Sequence, residues 1–189
     1  MRDFFKSMDV ERPEFNLLSP GDHIVRLIRY EETDSFTKYS GDPKGKDFGW
    51  ADPTPQLAVT FVAAESGKSG GITHRCNGLG YVKHDELSDE QRSSGDYEEI
   101  GGYACTANED GEIVRIVSPE GTKACKNILN QLASALGGKE GDNFGEVLDN
   151  AIANQTKLTI TIINDPYEGR DQLRVTRFKA VAATVAELM

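Results

Sequence analysis

The chain of 189 residues is 38% hydrophobic, 28% charged and 8% aromatic, a globular composition that supports one packed core and excludes a disordered, collagenous or coiled-coil protein. No apolar run approaches the roughly 20 residues of a membrane-spanning helix, and Met1-Arg2-Asp3-Phe4-Phe5-Lys6 lacks the apolar stretch of a signal peptide, so a soluble, cytoplasmic protein is expected. Twenty-one Lys and Arg against 31 Asp and Glu leave a net charge of −10, which argues against a protein held to nucleic acid by bulk charge.

Residues 1–18 read as a mobile start with Phe4, Phe5 and Phe15 as anchors, ended by the turn signal Ser19-Pro20-Gly21-Asp22. A first strand follows from His23 to Glu31. Strict alternation puts Ile24, Arg26, Ile28 and Tyr30 on one face and Val25, Leu27 and Arg29 on the other. From Thr33 to Gln56 runs a segment rich in Gly, Pro, Asp and Lys, far longer than the usual connection within a compact domain. It interleaves Phe36, Tyr39, Phe48 and Trp50 with Lys38, Lys44 and Lys46. Aromatic faces stack on bases splayed from a single strand while lysines neutralise the phosphates between them. Each ring alone is better read as a pin holding the loop to the core, aided by Pro43, Pro53 and Pro55, but the set of four with lysines between points to binding.

A second strand, Leu57 to Ala64, carries Leu57, Val59, Phe61 and Ala63 on one face, and the turn 65–71 leads into a third, Ile72 to Cys76. Gly67-Lys68-Ser69 has the end of a phosphate-binding loop, but Val62 stands where the first glycine belongs and a hairpin turn replaces the strand-to-helix context. His74 and Cys76, with His84 and Cys105 beyond, match no established zinc spacing, so core or surface roles are expected of them. Cys76, Cys105 and Cys125 form an odd set without C-x-x-C spacing and read as three buried thiols.

Between Tyr81 and Glu120 stand eleven acids, Asp85, Glu86, Asp89, Glu90, Asp96, Glu98, Glu99, Glu109, Asp110, Glu112 and Glu120, against Lys83, Arg92 and Arg115. This block holds −8 of the charge and the remainder −2, so a basic groove can exist elsewhere, because screening limits each patch to a Debye length of roughly 8 Å. Within the block, Ser88 caps a short helix over Asp89 to Ser93, and a hairpin runs from Tyr103 to Ala107, through Asn108-Glu109-Asp110-Gly111, to Glu112–Val117.

A helix is expected from Thr122 to Leu136, with Ala124, Ile128, Leu132 and Ala135 at helical spacing and Gly137-Gly138 ending it, and a second from Phe144 to Ala153. The chain closes on a strongly alternating hairpin, Lys157 to Asn164 and Gln172 to Ala180, whose loop holds Tyr167 and Arg170. On its last strand, alternation separates Arg174 and Thr176 from Arg177 and Lys179, as it separates Arg26 from Arg29, so only one of each set can line a single groove; Arg75 on the third strand is a further candidate.

This order of strands, long loop and helical region is that of a five-stranded OB-fold Greek-key barrel over residues 19–180, with an inserted acidic hairpin at about 82–120 and a tail at 181–189. No stretch nominates a catalytic constellation or a metal site. The segment Leu18-Ser19-Pro20-Gly21-Asp22-His23-Ile24-Val25-Arg26-Leu27, the strand Gln56-Leu57-Ala58-Val59-Thr60-Phe61, the helix end Leu132-Ala133-Ser134-Ala135-Leu136-Gly137 and the closing basic hairpin together resemble the single-stranded-DNA-binding proteins of tailed bacteriophages. The likeness lies in pattern and order from about Ser19 to Ala180. The resemblance implies coating of single-stranded DNA during phage replication or recombination in the host cytoplasm, with no catalysis and no obligatory cofactor. Many such proteins end in an acidic tail with a terminal aromatic, a pattern from which Ala182-Ala183-Thr184-Val185-Ala186-Glu187-Leu188-Met189 departs. The acidic segment 85–99 then becomes the candidate surface for basic replication or recombination proteins. The competing reading is a non-catalytic phage structural or protein-interaction module that uses the same aromatic loop.

Overall fold

Val25 and Leu27, Leu57, Val59 and Phe61, and Leu158, Ile160 and Ile162 recur at every second position, and each of them is buried. That period of two turns one side of each strand toward a common core and leaves the other side to solvent. The computed structural model of the protein describes residues 17–34, 52–166 and 171–181. The expected anchors Phe4, Phe5 and Phe15, most of the long loop, the tip of the closing hairpin and the tail at 182–189 lie outside the described residues.

The elements in chain order are β1 (Gly21–Asp34), β2 (Pro55–Ala63), β3 (Gly71–Asn77), β4 (Gly80–Tyr81), a 3-10 turn (His84–Glu86), α1 (Asp89–Ser93), β5 (Glu98–Ile100), β6 (Tyr103–Ala107), β7 (Ile113–Arg115), β8 (Val117–Ser118), α2 (Pro119–Ala135), α3 (Phe144–Ala153), β9 (Lys157–Asn164) and β10 (Leu173–Ala180). The principal sheet has five antiparallel strands in the order β10-β9-β1-β2-β3. No ladder among the described residues joins β3 to β10, so where a barrel was expected the sheet is open. Its two edges meet through side chains instead, with the His74 ring 6.0 Å from that of Phe178.

Helices α2 and α3 cover the core side, α2 against β10 and β3 and α3 against β1. Leu132, Ala135, Val147, Leu148 and Ala151 are their buried contributions. Helix α2 begins three residues before the expected Thr122, because Pro119 takes its first turn and Ser118 caps it by accepting from the Gly121 N–H at 3.0 Å; proline is tolerated there, since its missing N–H would be unpaired anyway. Ala124 and Ile128, at helical spacing with the buried Leu132, are themselves exposed. The first half of α2 packs elsewhere: Gly80 of β4 lies so close to Gly121 that a Cβ on Gly80 would overlap the Gly121 backbone.

The acidic block forms a small unit of its own. Strands β5, β6 and β7 make a second antiparallel sheet, of which β5 was not expected from sequence. Leu87, Ile100, Ala104 and Cys105 are buried in this unit, and all eleven acids from Asp85 to Glu120 are exposed. Ser88 and Gln91 close the capping box that starts α1, as expected.

Candidate nucleic-acid interface

Two irregularities of register decide which side chains share a face of the principal sheet. On β1, Leu27 pairs with Phe61 and Arg29 pairs with Thr60, so Ile28 is an extra residue against β2. On β10, Val175 pairs with Ile162 and Arg177 with Thr161, so Thr176 is extra against β9. A β-bulge of this kind shifts the alternation by one, so that residues three apart, rather than two, point the same way.

The consequence overturns the alternation expected from sequence. Arg26 and Arg29 lie opposite Val62 and Thr60, which are on the outer face, and so share that face. Arg174, Arg177 and Lys179 lie opposite Ile163, Thr161 and Thr159, again all on the outer face. With Lys157 opposite Arg26 and Arg75 opposite Ala58, seven cations from four strands stand on one side of the sheet. Among the described strand positions of that side, the acids are Asp22 and Glu31. Asp22 accepts a hydrogen bond from the Thr161 hydroxyl at 2.6 Å, and Glu31 pairs with Arg29 at 2.6 Å. Threonines 33, 60, 73, 159 and 161 fill the spaces between the cations.

Core packing accounts for the bulges. Val175 and Phe178, three apart, are both buried, at 3% and 6% exposure; an unbroken strand would push one of them into water. Likewise Tyr30 follows Leu27 to the inner side, packs on the core and donates its hydroxyl to Asp149 of α3 at 2.8 Å. That hydrogen bond, with burial and the charges of Asp149 and Glu32, holds the phenol above its ordinary pKa. Tyr30 therefore does not share the face of Arg26, contrary to the alternation.

Of the sequence-nominated residues, Arg26, Arg75, Arg174 and Arg177 are thus placed on one face, while Phe36, Lys38, Tyr39, Lys44, Lys46, Phe48, Trp50, Tyr167 and Arg170 lie outside the described residues. Arg26 reaches Gln155 at 2.6 Å. Arg174 reaches Asp165 at 2.9 Å, both side chains being about half exposed, an exchangeable surface pair. Arg75 and Arg174, from the two edge strands, line one cavity of about 350 Å³. His74 lines the same cavity; burial first, and the Arg174 charge second, lower its pKa to about 4, so the ring is neutral at pH 7.

One cluster carries no signal in the sequence. Arg115 of β7 is buried over the Tyr81 ring, 3.9 Å from its centroid, and donates to the Asp52 carboxylate at 3.3 Å, the Asp52 carbonyl at 2.6 Å and the Thr54 hydroxyl at 3.2 Å. Thr54 in turn donates to the Tyr81 hydroxyl at 3.1 Å. The acidic unit is thereby bolted to the end of the long loop just before β2. The two partners are 63 positions apart in the chain, so no local pattern reveals the pair.

Among the described residues no group of three or more His, Cys, Asp and Glu side chains is arranged to hold a metal ion. Cys76 and Cys105 are buried, and burial raises both thiols to about 11, while Cys125 is only half-buried and is raised as well. Protonated thiols are poor nucleophiles. Among the described residues no helix is long and apolar enough to cross a membrane. No protein-family model matches the chain, and no curated protein matches its sequence.

Proposed function

We propose that the protein binds single-stranded DNA without strong sequence preference, coating it during phage replication or recombination. The observation that carries this reading is the cationic outer face, gathered by two bulges that give it Arg26, Arg29, Arg174, Arg177 and Lys179 together. A face of guanidinium, ammonium and threonine hydroxyl groups, poor in acids although the chain carries −10 overall, suits a phosphate backbone. What supports an OB-type reading is the strand order β10-β9-β1-β2-β3, which matches that of an OB barrel opened between its third and last strands. In that architecture the segments after β1 and before β10 are the two ligand loops, which hold Trp50 and its neighbouring aromatics and lysines in the first and Tyr167 and Arg170 in the second. The exposed acids of the insert offer basic partner proteins a surface.

The test is titration of a fluorescein-labelled oligo-dT by anisotropy at two salt concentrations. Binding should weaken steeply with salt, by about 0.7 in log affinity per log salt for each phosphate neutralised. An absence of binding at low salt would overturn the reading and favour a protein-interaction module.

A further inference from the structure

The gap between the edge strands β3 and β10 has features that coating by charge alone does not use. An antiparallel pair needs Cα atoms about 5 Å apart, and these strands do not form one. The opening leaves the cavity of about 350 Å³, backed by Ile128 and Gln131 of α2 and lined by His74, Phe178, Arg75 and Arg174. That volume lies at the small end of ligand pockets, about 300–1,000 Å³, and has room for a planar ring system.

We infer that this seam is a nucleobase pocket, in which one base of the bound strand inserts beside His74 and Phe178 while its flanking phosphates rest on Arg75 and Arg174. The chemistry of the lining matches each part of a nucleotide. Phe178 and the imidazole, 6.0 Å apart and tilted by 59°, offer ring faces and edges to a base. No described residue hydrogen-bonds the imidazole nitrogens, and the ring is uncharged at neutral pH, so it presents one donor and one acceptor to the edge of a base. Gln131 adds an amide with both functions. The two guanidiniums belong to the outer face by register, which puts them on the side where the phosphate backbone runs. The inference rests on the single-stranded-DNA reading and adds to it a fixed place for one base.

Two variants of the full chain test it. His74→Ala removes the ring, and Ile128→Trp, at a position 43% exposed, fills the cavity from the helix without disturbing the core. Affinity is measured by anisotropy for oligo-dT and for an abasic strand of equal length. Each variant should bind oligo-dT about 10-fold more weakly, as expected for the loss of one stacked base, while its affinity for the abasic strand stays within about twofold of the parent. Photocrosslinking of oligo-dT containing 5-iodouracil should attach to residues of β3, β10 or α2. If the parent binds oligo-dT and both variants match it, with crosslinks elsewhere, the pocket is refuted and the function stands. If the parent does not bind oligo-dT at all, both fall together.

Discussion

His74 is a half-buried base beside an arginine, and its titration should be visible in the stability of the whole molecule. Folded, it stays neutral down to about pH 4; unfolded, an imidazole takes up its proton near 6.5. Between those values the unfolded chain binds more protons, so stability rises with pH across this window, is fully present above it and is lost as pH falls toward 4. The contribution is about 3 kcal/mol. Urea unfolding at pH 4.5 and pH 7 should show His74→Phe flattening this part of the pH dependence; an identical profile in parent and variant would show that the ring is solvated. Trp50 is the only tryptophan of the chain. Its emission should be quenched by oligo-dT, and Trp50→Ala should weaken binding by about 1–3 kcal/mol with little change in salt dependence, since stacking releases no counterions.

At the scale of the element, the bulges in β1 and β10 matter most, because each makes core packing and surface charge one decision. Phe178 can be buried together with Val175 only if Thr176 is extra, and the same displacement puts Arg174 and Arg177 side by side on the outer face. Replacing both arginines by alanine leaves the packing intact, so the melting temperature should stay close to that of the parent. The slope of log affinity against log salt should flatten by about 0.7 for each phosphate that is no longer neutralised. An unchanged slope would mean that DNA does not cross β10. These bulges had a trace in the sequence: Val175 and Phe178, like Leu27 and Tyr30, are apolar or aromatic pairs three apart inside otherwise alternating strands. Helix α2 illustrates the opposite limit, since Ala124 and Ile128 fall at helical spacing with Leu132 yet lie beyond the part of the helix that packs on the core.

At the scale of the whole molecule, seven of the described cations gather on the outer face of one sheet and eleven of the described acids on a unit with its own small core. The Arg115–Asp52 ion pair joins that unit to the segment carrying Trp50, two residues before Asp52. The Arg115 side chain is only 7% exposed, and removing one member of a buried ion pair leaves the other charge uncompensated, at a cost of about 3–5 kcal/mol. Arg115→Ala should therefore lower stability by that order in denaturant unfolding and also weaken oligo-dT binding, by loosening the loop end. Affinity equal to the parent's in the folded variant would show that the insert does not position the loop. Neutralising Asp85, Glu86, Asp89 and Glu90 addresses the field instead: affinity should tighten at low salt and change little at high salt, where screening already shortens their reach.

The sequence by itself determined the elements whose signals are local. Alternation over Leu57–Phe61 and Leu158–Ile162, the Ser88 and Gln91 capping box, the Asn108–Gly111 turn and the helix Phe144–Ala153 each depend on residues within a turn or two of one another, and all stand as expected. The tertiary structure alone decided what depends on partners distant along the chain. The open seam between β3 and β10, the register that places Ile28 and Thr176 as extra residues, the turn of Tyr30 toward Asp149 and the burial of Arg115 against Asp52 are of this kind. Alternation is a property of one strand, whereas a face is a property of a ladder. A single extra residue, kept because two side chains must reach the same core, reassigns every side chain beyond it.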